Sequence, residues 1–171
     1  MRKEEEEETI TKVVEALRED VKYVDAFAIM LKRTENRQSR SLLNIINLYK
    51  SIFGPGFLTN VILVASFWGY SREHEIERGD QTEDAWLNQQ RQLFKSLEGA
   101  ANLEAVYYTS KFNEEDEKQT KRFEREMTKL YQFAKDAKPF HCKDTVIALD
   151  EISKLEEEVE RLRQIAEEQT D

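Results

Sequence analysis

A chain of 171 residues, 39% of them apolar, holds enough core-forming side chains for one compact domain and too few for two ordinary ones. With 35 acidic against 26 basic residues, the net charge of -9 leaves no sequence-wide footprint for nucleic-acid phosphates or anionic lipid. A single cysteine, Cys142, excludes an internal disulfide framework and a cysteine-based zinc site and fits a reducing compartment.

The opening Met1-Arg2-Lys3, followed by Glu4 to Glu8, offers no apolar run for a signal or spanning segment, so a cytoplasmic protein is expected. Five glycines and two prolines are few punctuators for this length, which points to long uninterrupted helices. Ile10, Val13, Val14, Leu17 and Val21 recur at helical spacing, the stripe of a helix lying on a core. From Tyr23 to Leu31 the chain becomes nearly continuously apolar, as expected of a strand covered on both faces.

A helix follows over about Ser39 to Phe53, stopped by Gly54-Pro55-Gly56. Val61 to Ala65 is the clearest buried strand. After a polar loop through Ser71, Asp80 with Glu83 three residues on predicts a capped helix to about Leu97, with Trp86, Leu93, Phe94 and Leu97 inward. Ala105 to Tyr108 is a third short strand. Asn113 then caps a helix over about Glu114 to Ala137, packed through Phe123, Met127, Leu130, Tyr131 and Ala134.

This alternation builds an α/β fold with a small parallel sheet of about three strands and crossover helices, spanning residues 1–138. Three strands are few for such a sheet, and an open flank would present unpaired backbone groups, so the unit reads as part of a larger doubly wound domain. Residues 139–171 form a long amphipathic, coiled-coil-like helix: Ile152, Leu155, Val159 and Leu162 step as a heptad seam. The seam fits either a partner-seeking helix or one folded back on its own domain.

Ligands of open parallel sheets bind beyond the carboxyl ends of the strands. The richest such loop is Ser66-Phe67-Trp68-Gly69-Tyr70-Ser71, whose aromatics either stack a base or pack the adjacent helix. Catalytic patterns are poor. His74 lies among glutamates without a second histidine at metal-ligand spacing and reads as a salt-bridged surface residue; Cys142 beside His141 reads as a packed thiol. No glycine is followed by lysine, so the G-x-x-x-x-G-K-[ST] loop that holds nucleotide phosphates is missing, as is a D-x-x-G pattern.

Four segments together resemble the later half of the GIMAP-type, septin-like immune-associated nucleotide-binding GTPases, in their divergent invertebrate-like form. They are Tyr23-Val24-Asp25-Ala26-Phe27; Tyr49-Lys50-Ser51-Ile52-Phe53-Gly54-Pro55-Gly56-Phe57; Val61 through Tyr70; and Pro139-Phe140-His141-Cys142-Lys143-Asp144. The resemblance implies that the strands read above correspond to the fourth, fifth and sixth of a partial P-loop GTPase-like domain. The phosphate loop, the Mg²⁺ ligand and the switches of that family precede this position, so GTP and Mg²⁺ would need an N-terminal half, and no cofactor is expected in this chain alone. It further places base-contacting residues at Trp68, Gly69 and Tyr70 and at Ser110 and Lys111, although no Asp stands where the family accepts from guanine.

Two functions follow as expectations. One is a non-catalytic protein-interaction module that associates with itself, or with a partner strand or helix, through the sheet edge and the terminal helix. The other is the base-binding half of a GTP-binding protein.

Overall fold

The structure, a computed structural model, describes residues 12–13, 15–17, 19–34, 39–54, 56–142 and 149–170. Helix α1 is described at 12–13, 15–17 and 19. Of its expected core stripe, Val13 and Val21 are more than a third exposed, and Ile10 and Val14 lie outside the described residues.

Two compact units are interleaved along the chain. One comprises residues 1–24, 38–57 and 139–171, the other residues 25–37 and 58–138. The first contains α2 (Ser39–Phe53), α6 (Leu149–Thr170) and an antiparallel pair, β1 (Tyr23–Val24) with β5 (Phe140–His141). Within it α6 lies against α2. Phe53 stacks on Phe57 at 5.4 Å and meets Phe140 edge-on at 5.4 Å. Cys142 is fully buried, and its N–H donates to the Lys22 carbonyl at 3.1 Å.

The second unit carries the parallel sheet, ordered β2 (Phe27–Lys32), β3 (Val61–Ser66) and β4 (Glu104–Tyr107). Between β3 and β4 come α3 (Arg72–Arg78) and α4 (Glu83–Leu93), and α5 (Glu117–Asp136) follows β4. The continuous strand expected from Tyr23 to Leu31 is therefore broken. At Asp25 the chain bends, and the buried Asn60 amide donates to the Asp25 and Lys138 carbonyls at 3.1 and 2.7 Å. Nor is β2 covered on both faces: Phe27, Ile29 and Leu31 are partly buried, whereas Met30 is 62% exposed.

Central strand β3 is buried over five consecutive residues, as its unbroken apolar run requires. Ile62, Val64 and Val106 form a core on one face, and Leu130 and Phe133 of α5 pack against it. On the opposite face Trp68 and Trp86 meet Tyr107, with ring centroids 4.7 and 6.0 Å away. The expected contact from Tyr131 is not made, since that ring is 71% exposed.

A carboxylate takes a place in the buried stripe of α5. Glu126, 2% exposed, accepts the Tyr107 N–H at 3.0 Å, and Arg122 lies 3.2 Å from its other oxygen. Arg122 also pairs with Glu83 of α4, and the Tyr107 hydroxyl donates to the Glu83 carbonyl at 2.8 Å.

Removing one partner of a buried pair leaves the others desolvated and unmatched. Glu126→Leu is therefore expected to lower the unfolding free energy by about 3 kcal/mol in urea denaturation; a variant as stable as the parent would contradict this role.

Candidate functional site

Because β3 and β4 are parallel neighbours, the loops that leave their carboxyl ends emerge side by side. The Trp68 N–H donates to the Tyr108 carbonyl at 2.9 Å and ties the two loops together. The second loop is tightened by Thr109, whose hydroxyl donates to the Lys111 carbonyl at 3.0 Å and accepts from the Lys111 N–H at 3.3 Å. Between them lies a cleft of about 580 Å³, lined by Tyr70, Ser71, His74, Lys111, Phe112 and Asn113 among others.

One wall of the cleft is aromatic. Tyr70 and Phe112 stand 6.1 Å apart, and Phe112 stacks on Phe123 of α5 at 4.9 Å. The Tyr70 hydroxyl donates to the Tyr107 carbonyl at 2.6 Å, with the Arg122 guanidinium 5.8 Å from its ring. Burial, then the Glu126 carboxylate, push the Tyr70 phenol up to about 12, so it is held as a neutral donor. Burial lowers the Arg122 guanidinium, against the opposing pull of Glu126.

The other wall depends on a glycine. Ser71 caps α3 by accepting the His74 N–H, and its Oγ shares a 2.6 Å hydrogen bond with His74 Nδ1. This places the imidazole directly over Gly69, where a Cβ would collide with the His74 ring. His74 is thus hydrogen-bonded to Ser71 rather than held by the ion pair expected from its glutamate neighbours.

The structure separates the residues singled out in the sequence. Trp68 is 2% exposed, its ring enclosed by the Arg78 guanidinium at 4.6 Å, by Tyr107 and by Trp86, so it has no free face for a base. Arg78 is anchored by donating to the Gly69 carbonyl at 2.6 Å, and its own burial lowers its pKa. Tyr70 and Lys111 line the cleft, Gly69 lies under His74, and Ser110 is exposed beside Lys111. Phe67, not Trp68, is the exposed aromatic of this loop, at 63%. On α6, Val159 is partly buried and Leu162 is 48% exposed; the side chains of Ile152 and Leu155 lie outside the described residues.

Glu83, Arg122 and Glu126 were not legible as residues that support the site. Only Glu126 left a trace: it falls three residues after Phe123 and four before Leu130, the spacing of an apolar stripe. Chemically, the cleft offers an aromatic wall with polar side chains on its rim, a setting for a flat polar molecule. Among the described residues no group of three or more His, Cys, Asp or Glu side chains could hold a metal ion, and no helix is long and apolar enough to cross a membrane. No protein-family model matches this chain, and no curated protein matches it.

Gly69→Ala must push the His74 ring aside and break its bond to Ser71. The expected cost is about 1–2 kcal/mol of stability, together with a shift of the His74 ring resonances. Gly56→Ala is the control, because nothing lies within 4 Å of its would-be Cβ. Unchanged His74 resonances in Gly69→Ala would contradict the packing described.

Proposed function

We propose that this chain acts as a non-catalytic interaction module, built on the later half of a GIMAP-like nucleotide-binding domain and working in the cytoplasm. The observation that carries the reading is the inequality of the two sheet edges. On β4, the Tyr107 N–H is taken by Glu126 and the Tyr107 carbonyl by the Tyr70 hydroxyl. Just before that strand, Arg91 donates to the Leu103 carbonyl through Nε and Nη2 at 3.0 and 2.8 Å. On β2, no second strand is present among the described residues, and Ala28, Met30 and Lys32 are exposed on one face.

An edge strand with unpaired backbone is a template for another strand, and proteins that must prevent this block the edge with side chains. Among the described residues the β4 edge is blocked in this way, and no strand lies on the outer side of β2. Absence of the phosphate loop from the sequence supports the non-catalytic part of the reading. The terminal helix adds a second candidate surface at Leu162 and Ile165, 48% and 39% exposed. A base-binding half-site is the second reading, favoured by the cleft between the two carboxyl-end loops.

Self-association is the test. The net charge of -9 opposes pairing of identical chains, so dimers are expected to be weak and to tighten as ionic strength rises. In sedimentation at two salt concentrations, Met30→Lys is expected to weaken the dimer about tenfold, equivalent to about 1.4 kcal/mol. Leu162→Glu reports on the terminal helix in the same way. A chain that stays monomeric at both salts and captures no added strand peptide would overturn the module.

A further inference from the structure

Phe67 is the sole non-glycine residue with a positive φ among the described residues, at 59°. A side chain in the left-handed region crowds the carbonyl that follows it, and a bulky ring makes the conformation a clear outlier. Nothing is gained by burial in exchange, because the ring is 63% exposed. Strain of this kind persists only where the surroundings over-determine the backbone.

Several bonds fix this loop, from the Trp68 N–H, the Tyr70 hydroxyl and the Arg78 guanidinium, and Arg33 adds one from its backbone and one from its side chain at the strained residue itself. The Arg33 N–H donates to the Ser66 carbonyl at 3.3 Å, and its Nε donates to the Phe67 carbonyl at 3.3 Å. The guanidinium is itself braced. Its Nη1 donates to Gln81 Oε1 at 3.0 Å, Gln81 Nε2 donates back to the Arg33 carbonyl at 3.2 Å, and Glu77 lies 3.9 Å away. With a side chain only 13% exposed, Arg33 links the end of β2 to the loop after β3 and to the connection between α3 and α4. A lysine would replace this rigid planar fork, whose Nε and Nη1 donate to acceptors on two different segments, with donors gathered on one flexible nitrogen.

The same loop continues into Tyr70 and Ser71, which form walls of the cleft. We propose that Arg33 and Phe67 form a latch: the arginine holds residues 66–71 in a strained conformation, and letting go of the Phe67 carbonyl releases the loop and moves the Tyr70 wall. The latch rests on loop geometry alone; that it governs ligand access rests on the reading of the cleft as a binding site, and the experiment below needs no ligand.

Four variants separate strain from contact: Phe67→Gly, Phe67→Ala, Arg33→Lys, and the double variant Arg33→Lys with Phe67→Gly. Phe67→Gly is expected to raise Tm by about 2–4 °C, whereas Phe67→Ala keeps the Cβ and its crowding and should not. Arg33→Lys should speed hydrogen exchange at the Trp68 amide about tenfold and weaken the nuclear Overhauser contact between Tyr70 and Phe112. Both effects should largely disappear in the Phe67→Gly background, where the loop needs no clamp. Equal Tm shifts for the glycine and alanine variants would overturn the proposal. So would an Arg33→Lys effect of the same size in both backgrounds, or a Tyr70–Phe112 contact indifferent to Arg33.

Discussion

A carboxylate almost fully removed from water is costly unless its oxygens are matched, and the matching of Glu126 organises the sheet-bearing unit. One oxygen accepts the Tyr107 N–H and the other faces Arg122, which reaches Glu83 on the helix across the strand. Three elements, β4, α4 and α5, are thereby fixed relative to one another by charge and hydrogen bonding as well as by apolar contact. The same pairing takes up a backbone donor that another strand would otherwise use. That takes the Tyr107 donor away from any further strand beside β4, whereas among the described residues no strand lies on the outer side of β2.

The rim of the sheet inherits its shape from this arrangement. Tyr70 reaches the Tyr107 carbonyl under the Arg122 guanidinium, so the loop after β3 is drawn toward the loop after β4 and a cleft opens between them. Drawing the loop in carries Trp68 into the aromatic cluster with Trp86 and turns Phe67 outward. The strain at Phe67 and the burial of Trp68 are two sides of one turn, and Arg33, just past the end of β2, donates to the Phe67 carbonyl within it.

Elements whose own residues decide their fate were legible in the sequence. The run from Val61 to Ala65 read as the clearest buried strand, and the helix from Ser39 to Phe53 carried its own periodicity and stop. Features decided at a distance were not. Tyr23 and Val24 look continuous with the strand that follows, but they pair with Phe140 and His141, more than a hundred residues later. The caps slipped for a local reason: Thr82 rather than Asp80 starts α4, and Asp116 rather than Asn113 starts α5, because several Asx and hydroxyl side chains compete at each entrance. Asn113 is used instead in a turn, accepting the Glu115 N–H. An aromatic pair such as Phe67-Trp68 announces a surface or a core equally well. Only the left-handed backbone at Phe67, which no sequence pattern specifies for a phenylalanine, settles which ring goes where.

At the β4 edge side chains take the Tyr107 donor and acceptor, and among the described residues no strand lies outside β2. The Arg33 N–H and the Leu31 carbonyl both face β3, bonded to Ser66, so by alternation the Ala28 and Met30 amides point to the outer side of β2. Residue-resolved hydrogen exchange on the dilute chain compares these directly with Tyr107. The account predicts that the Ala28 and Met30 amides exchange rapidly while the Tyr107 amide exchanges only on global unfolding. Equal protection of the three would contradict it.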